Sequence, residues 1–140
     1  MKMFFFIITS CLLLLITSSF SSCETGHLDD RLTTINNSQH SIFSIIQFNF
    51  PDTALLGNGG CIGCFVEIAP NASEYHLNGV NWERDIKRRN KLNTLTVFIV
   101  HSDTLRKYPF EQLQADYNIL RRYDLTVDQL KSMDWKVRYP

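Results

Sequence analysis

Two cysteines three positions apart, Cys61-Ile62-Gly63-Cys64, form the one motif in this chain with a mechanism attached to it. Thiols at that spacing cycle between dithiol and disulfide, and redox enzymes lower a thiolate pKa at a helix N-terminus to drive the cycle. Here the pair leads into a predicted strand, and no thioredoxin-like βαβ pattern surrounds it. A plain disulfide between Cys61 and Cys64 is the simpler reading in an oxidising compartment, worth only about 2 kcal/mol because the closed loop is so short. Free thiols and a thiol-disulfide oxidoreductase stay open beside it. Zinc would need two more ligands, for which His76 and His101 are merely available, so neither a metal nor a cofactor is expected.

His101-Ser102-Asp103 holds the residue types of a hydrolase relay. Adjacent positions in a strand point to opposite faces, so three in a row cannot line up as one. A turn that caps the strand and leads into a helix is the expectation. Of the two tryptophans, Trp135 stands beside a predicted helix and reads as core. Trp82 lies in a polar stretch and is the candidate exposed contact for a protein or a glycan. Asn71-Ala72-Ser73 fits a glycosylation sequon, a pattern short enough to arise by chance. No residue is assigned a catalytic role, and a non-enzymatic protein is the leading reading.

The N-terminus speaks to compartment. Lys2 precedes an apolar run from Phe4 to Ile16, interrupted by Thr9 and Ser10, and small residues follow. That is the plan of a secretory signal. A helix over such a run covers about 20 Å, short of the roughly 30 Å that a bilayer core requires. Phe20-Ser21-Ser22-Cys23 then resembles the bacterial lipobox, with Phe20 where leucine is commonest and Ser22 where glycine or alanine is commonest. The resemblance implies cleavage before Cys23, diacylglycerol on its sulfur and acylation of the new amino terminus. Two or three acyl chains hold a protein on a membrane where one does so only marginally. An ordinary secreted precursor, with Cys23 a free or bridged thiol, is the alternative.

Cleavage leaves one domain's worth of chain. Fourteen basic residues balance fourteen acidic ones, and removing Lys2 leaves a net charge near −1. No basic stripe offers a phosphate footprint, so nucleic acid is not an expected partner. Arg84, Lys87, Arg88, Arg89 and Lys91 do cluster, with Glu83 and Asp85 interleaved, and read as a solvated connection, with an anion site as the alternative. Glu24 to Ser38 is polar, shows no apolar period, and reads as a flexible tether over 23–38. Glu24 and Asp29-Asp30 also form a thin version of the acidic surface-export signal of some lipoproteins.

Beyond the tether, a single globular domain is expected over 39–140. Ser41 to Phe50 alternates as a strand that Pro51-Asp52 ends. Gly57-Asn58-Gly59-Gly60 is a turn cluster. Cys64 to Ile68 reads as a second strand, Tyr75 to Val80 as a third, and Thr94 to Val100 as a central one, apolar on both faces. Then the period changes. Phe110, Leu113, Tyr117 and Leu120 recur at helical spacing from Pro109 to Tyr123. A second helix starts at Thr126, with Gln129 as its capping-box partner and Leu125 and Leu130 as a hydrophobic staple, and ends near Asp134. Trp135, Val137 and Tyr139 alternate as a closing strand. Strands, two helices and a last strand predict an α+β domain: a mainly antiparallel β-sheet with two C-terminal helices packed on it.

Asp116-Tyr117-Asn118-Ile119-Leu120-Arg121-Arg122-Tyr123-Asp124-Leu125-Thr126, followed by Asp128-Gln129-Leu130, Trp135 and Tyr139-Pro140, resembles the tail of a group of small Bacteroides-type lipoproteins. Phe50-Pro51-Asp52-Thr53 and the strand Thr94 to Val100 are similar to that group too. The resemblance implies a lipid-anchored protein of the cell envelope whose function is uncharacterised. Taken with the rest of the sequence, the expectation is a non-enzymatic domain at the outer membrane of a Gram-negative bacterium that binds or scaffolds an envelope protein or glycan. It brings no catalytic residues, and it does not include the Cys61/Cys64 pair.

Overall fold

The structure is a computed structural model, and it describes residues 29, 31–52, 65–78 and 81–140. These residues form an α+β domain of two sheets and four short helices. Strands β1 (Thr33–Asn36), β2 (Ile42–Gln47), β3 (Phe65–Ile68) and β4 (Ala72–Tyr75) come first, followed by helix α1 (Trp82–Arg89) and β5 (Thr94–His101). Helices α2 (Ser102–Lys107) and α3 (Phe110–Asp116), strand β6 (Arg121–Thr126), helix α4 (Val127–Ser132) and strand β7 (Lys136–Tyr139) complete the order. The larger sheet runs β3-β2-β5-β6 with every pair antiparallel. The smaller runs β4-β1-β7, with β1 antiparallel to β4 and parallel to β7.

Alternation along β2 and β5 decides the layering. Ile42 and Ile46 of β2, with Leu95, Val97 and Ile99 of β5, face the smaller sheet and meet Trp82 and Ile86 of α1 and Val127 and Leu130 of α4. On the opposite face, Ile45, Phe98 and Val100 pack with Leu113 of α3, and Leu105 of α2 closes over them. Strand β5 is therefore buried on both faces, as its continuous apolar run predicts.

Four regions differ from the sequence reading, each for a local reason. The segment read as tether already contains β1, because Thr34 and Asn36 spend their polarity inside the protein and β1 pairs on both sides. Strand β4 starts at Ala72 instead of Tyr75. Asn71, at φ 54°, turns the chain, and the register Asn36 to Ala72 fixes the start. The helix expected through Tyr123 stops at Asp116. Tyr117 adopts the left-handed conformation (φ 50°, ψ 44°), its N–H donating back to Leu113 and Gln114. Six successive pairings with β5 then claim Arg121–Thr126 as a strand. The basic stretch read as a connection is helix α1, capped by the Asn81 side chain accepting the Arg84 N–H.

The C-terminal helix follows the sequence signals. Thr126 and Gln129 form the reciprocal capping box, and Leu125 and Leu130 both enter the core. Trp135 is buried just before β7, with the Arg31 guanidinium 4.8 Å from its ring centre.

Candidate functional site

Trp82 is a correction. Read as an exposed contact, it is 2% accessible, because it opens α1 with its ring turned inward and stacked on Phe48, centroids 6.4 Å apart. Its indole N–H has no hydrogen-bond partner among the described residues. The backbone N–H of Trp82 donates to Asp29 Oδ2 at 2.8 Å, so Asp29 holds the chain's entry against the start of α1. Arg31, in turn, grips both Asp29 oxygens and draws that carboxyl below its ordinary pKa.

Cys23, Cys61 and Cys64 lie outside the described residues. Residue 29 is the first one described, so the signal over 1–22 and positions 23–28 of the tether lie outside them too.

His101-Ser102-Asp103 is a helix start. His101 caps α2, its Nδ1 accepting the Asp103 N–H at 3.2 Å, while Ser102 is buried and the Asp103 carboxylate is open to solvent. The Asp103 carboxylate comes within 3.9 Å of His101 Nδ1, but the buried Ser102 hydroxyl has no hydrogen-bond partner among the described residues, so the three do not form a relay. His101 stands beside His40, ring centroids 5.3 Å apart. Among the described residues no three His, Cys, Asp or Glu side chains are grouped so as to hold a metal ion.

The arrangement that sequence reading missed is buried. Thr34 of β1, Ser44 of β2 and His76, just after β4, form a triangle in which His76 Nε2 lies 3.0 Å from Ser44 Oγ and 3.2 Å from Thr34 Oγ1. The two hydroxyls are 2.9 Å apart. A serine within reach of an imidazole has the outline of a nucleophile and its base. Two facts oppose that chemistry. No carboxylate orients the ring, since His76 Nδ1 has no partner among the described residues, and Ser44 is 0% exposed, so substrate has no route to its oxygen. Burial pushes the imidazole down to about 4, which leaves it neutral at pH 7. The triangle joins the two sheets with hydrogen bonds. Asn36 reinforces the same junction by donating to the carbonyl oxygens of His40, Ile68 and Ala69.

Two clefts open to solvent meet on the surface at Leu120. A cleft of about 190 Å³ is lined by His101, Thr104 and the Tyr117–Leu120 stretch. A second, of about 260 Å³, lies between Leu120, Arg121, Tyr123, Tyr139 and Pro140. Leu120 borders both and is 44% exposed, and Tyr117 is 47% exposed. Tyr117 owes its position to its own αL backbone, an unusual state for a bulky residue. Tyr123 is fixed by donating its hydroxyl proton to the Arg138 carbonyl at 2.7 Å, and burial raises its pKa against the opposing pull of the Arg121 charge. Aromatic rings with polar tips, set beside Arg121 and an exposed leucine, have the composition of binding-surface anchors. The signal in the sequence was the tyrosine spacing itself, which helical periodicity absorbed.

No helix among the described residues is long and apolar enough to cross a membrane. No family model, curated protein or solved structure matches the chain.

Proposed function

We propose that this protein is a lipid-anchored component of the cell envelope whose domain binds a partner rather than transforming a substrate. Cys23 is the attachment point, and the surface around Leu120 is the contact. The observation that carries the second half is the contrast between the two sites: the Ser44–His76 pair is sealed, while Tyr117, Leu120, Tyr123 and Tyr139 are set along adjoining open clefts. Rigid aromatic groups beside an arginine give contact area at low entropic cost, the chemistry shared by protein and glycan recognition.

A photo-crosslinking residue placed at position 120, with exposed Met133 as the control position, tests the contact in intact envelopes. The reading expects a discrete adduct from position 120 and none from position 133. Identical patterns from both positions would count against it. The competing activity, dithiol exchange by Cys61 and Cys64, predicts insulin reduction that Cys61→Ser abolishes. An inert wild type leaves the binding reading in place.

A further inference from the structure

Once Asp29 is fixed on α1, the anchor and the helix are close. Six residue steps separate Cys23 from Asp29, a span of at most about 20 Å, against roughly 50 Å if the chain ran free to Ser38. Helix α1 is itself only about 12 Å long. A lipid on Cys23 therefore keeps α1 beside the bilayer wherever the intervening chain runs.

The charge on this element is of the matching sign. Trp82 to Lys91 carries five basic residues against Glu83 and Asp85, a net charge of +3 in a mature chain near −1. Burial sorts them. Asp85 is inside, and the guanidiniums of Arg88 and Arg89, at 2.8 and 2.9 Å, share its one carboxylate from the exposed side. Glu83 lies between Lys87 and Lys131, both at 2.7 Å. Arg84 and Lys91 are exposed and form no ion pair among the described residues. The neighbouring charges sum to zero, since Arg31 pairs with Asp29 and the Lys131 cation on Glu83 is offset by Asp128 acting on Lys87, so the excess belongs to α1 and the turn after it.

That turn adds an apolar tip. Leu92 is 57% exposed beside Lys91, on a bend fixed by two contacts: the Leu92 N–H donates to Asn90 Oδ1 at 2.8 Å, and the Asn93 N–H donates to the Asn90 carbonyl at 2.9 Å. Asn90 is itself locked down, its amide donating to the Phe48 and Phe50 carbonyls. Lys87 and Leu92 flank a cleft of about 350 Å³. Clustered cations around a projecting leucine are the features of a surface that meets lipid headgroups.

Resting on the anchor at Cys23, we propose that α1 and the Asn90–Asn93 turn lie against anionic headgroups of the leaflet that holds the lipid. Arg84 and Lys91 supply the free charge and Leu92 the apolar contact. The domain is thereby oriented on the membrane as well as tethered to it.

The test uses the protein isolated from its membrane and placed on vesicles of phosphatidylcholine with or without phosphatidylglycerol. A membrane-impermeant amine reagent then modifies its lysines, and mass spectrometry reads the rate at each one. Modification of Lys91 is expected to slow about tenfold when phosphatidylglycerol is present, with Lys107 unchanged, and to recover at high salt. Arg84→Glu with Leu92→Ser should remove the protection. Equal rates at Lys91 on the two vesicles, or protection that survives high salt, would overturn the orientation. Intact mass of the same sample reports separately on Cys23. A modified Cys23 with an unprotected Lys91 rejects only the orientation. A free Cys23 rejects the anchor, and anionic vesicles added to that soluble protein then decide whether the basic face binds on its own.

Discussion

The two sheets of this protein are held by different forces. Around β2 and β5, stability comes from apolar side chains shut between layers, with Phe98, Val100 and Leu113 on one face and Ile46, Val97 and Ile99 on the other. The smaller sheet is joined to this body in part through polar groups taken out of water, Thr34, Asn36 and His76, each tied to a named partner. Burial of an apolar ring is insensitive to pH and costly to remove. A buried hydrogen-bonding group adds little net stability while paired, and costs much more when its partner is lost. One half of the molecule is therefore robust, and the other is conditional on its pairing.

Four experiments press on that difference. Phe98→Ala empties the layer beneath α3 and should cost about 4 kcal/mol in urea unfolding, with no change between pH 7 and 5. The junction should behave oppositely. His76 ordinarily titrates near 6.5 and in the folded protein near 4. Between those values the unfolded chain takes up a proton that the folded one refuses, so stability falls as pH drops through this window, by up to about 3 kcal/mol, and is flat above it. His76→Gln should abolish that slope, and a persisting slope would mean that another group sets it. Asn36→Ala strands three carbonyl acceptors and should cost about 2 kcal/mol at every pH. Thr126→Ala removes half of a capping box far from the junction and should cost about 1 kcal/mol.

The same division explains what the sequence made legible. Strands β2 and β7 announce themselves by the alternation of their apolar residues, and β5 by a continuous apolar run. The capping box of α4 is written in two residues three apart. Strand β1 was read as tether because its inward residues, Thr34 and Asn36, look like surface, and hydropathy carries no trace of a hydrogen bond made thirty residues away. Helix α1 hid for a related reason: its inward apolar face is little more than Trp82 and Ile86, and four cations dominate the rest. Strand β6 was lost to a coincidence of spacing, since Leu113, Tyr117 and Leu120 keep helical intervals although only Leu113 is buried. The surface around Leu120 and the His76 triangle both depend on long-range pairing, which local pattern does not encode.

The proposed place of this domain in the cell depends on Cys23, and one measurement reaches it directly. The intact mass of the protein extracted from membranes should equal that of residues 23–140 plus a diacylglycerol and one further acyl chain, with no reactive thiol at the new N-terminus. A chain beginning at Met1, or a mature chain whose Cys23 still reacts with a maleimide, would contradict the anchor and with it the nearness of α1 to a bilayer.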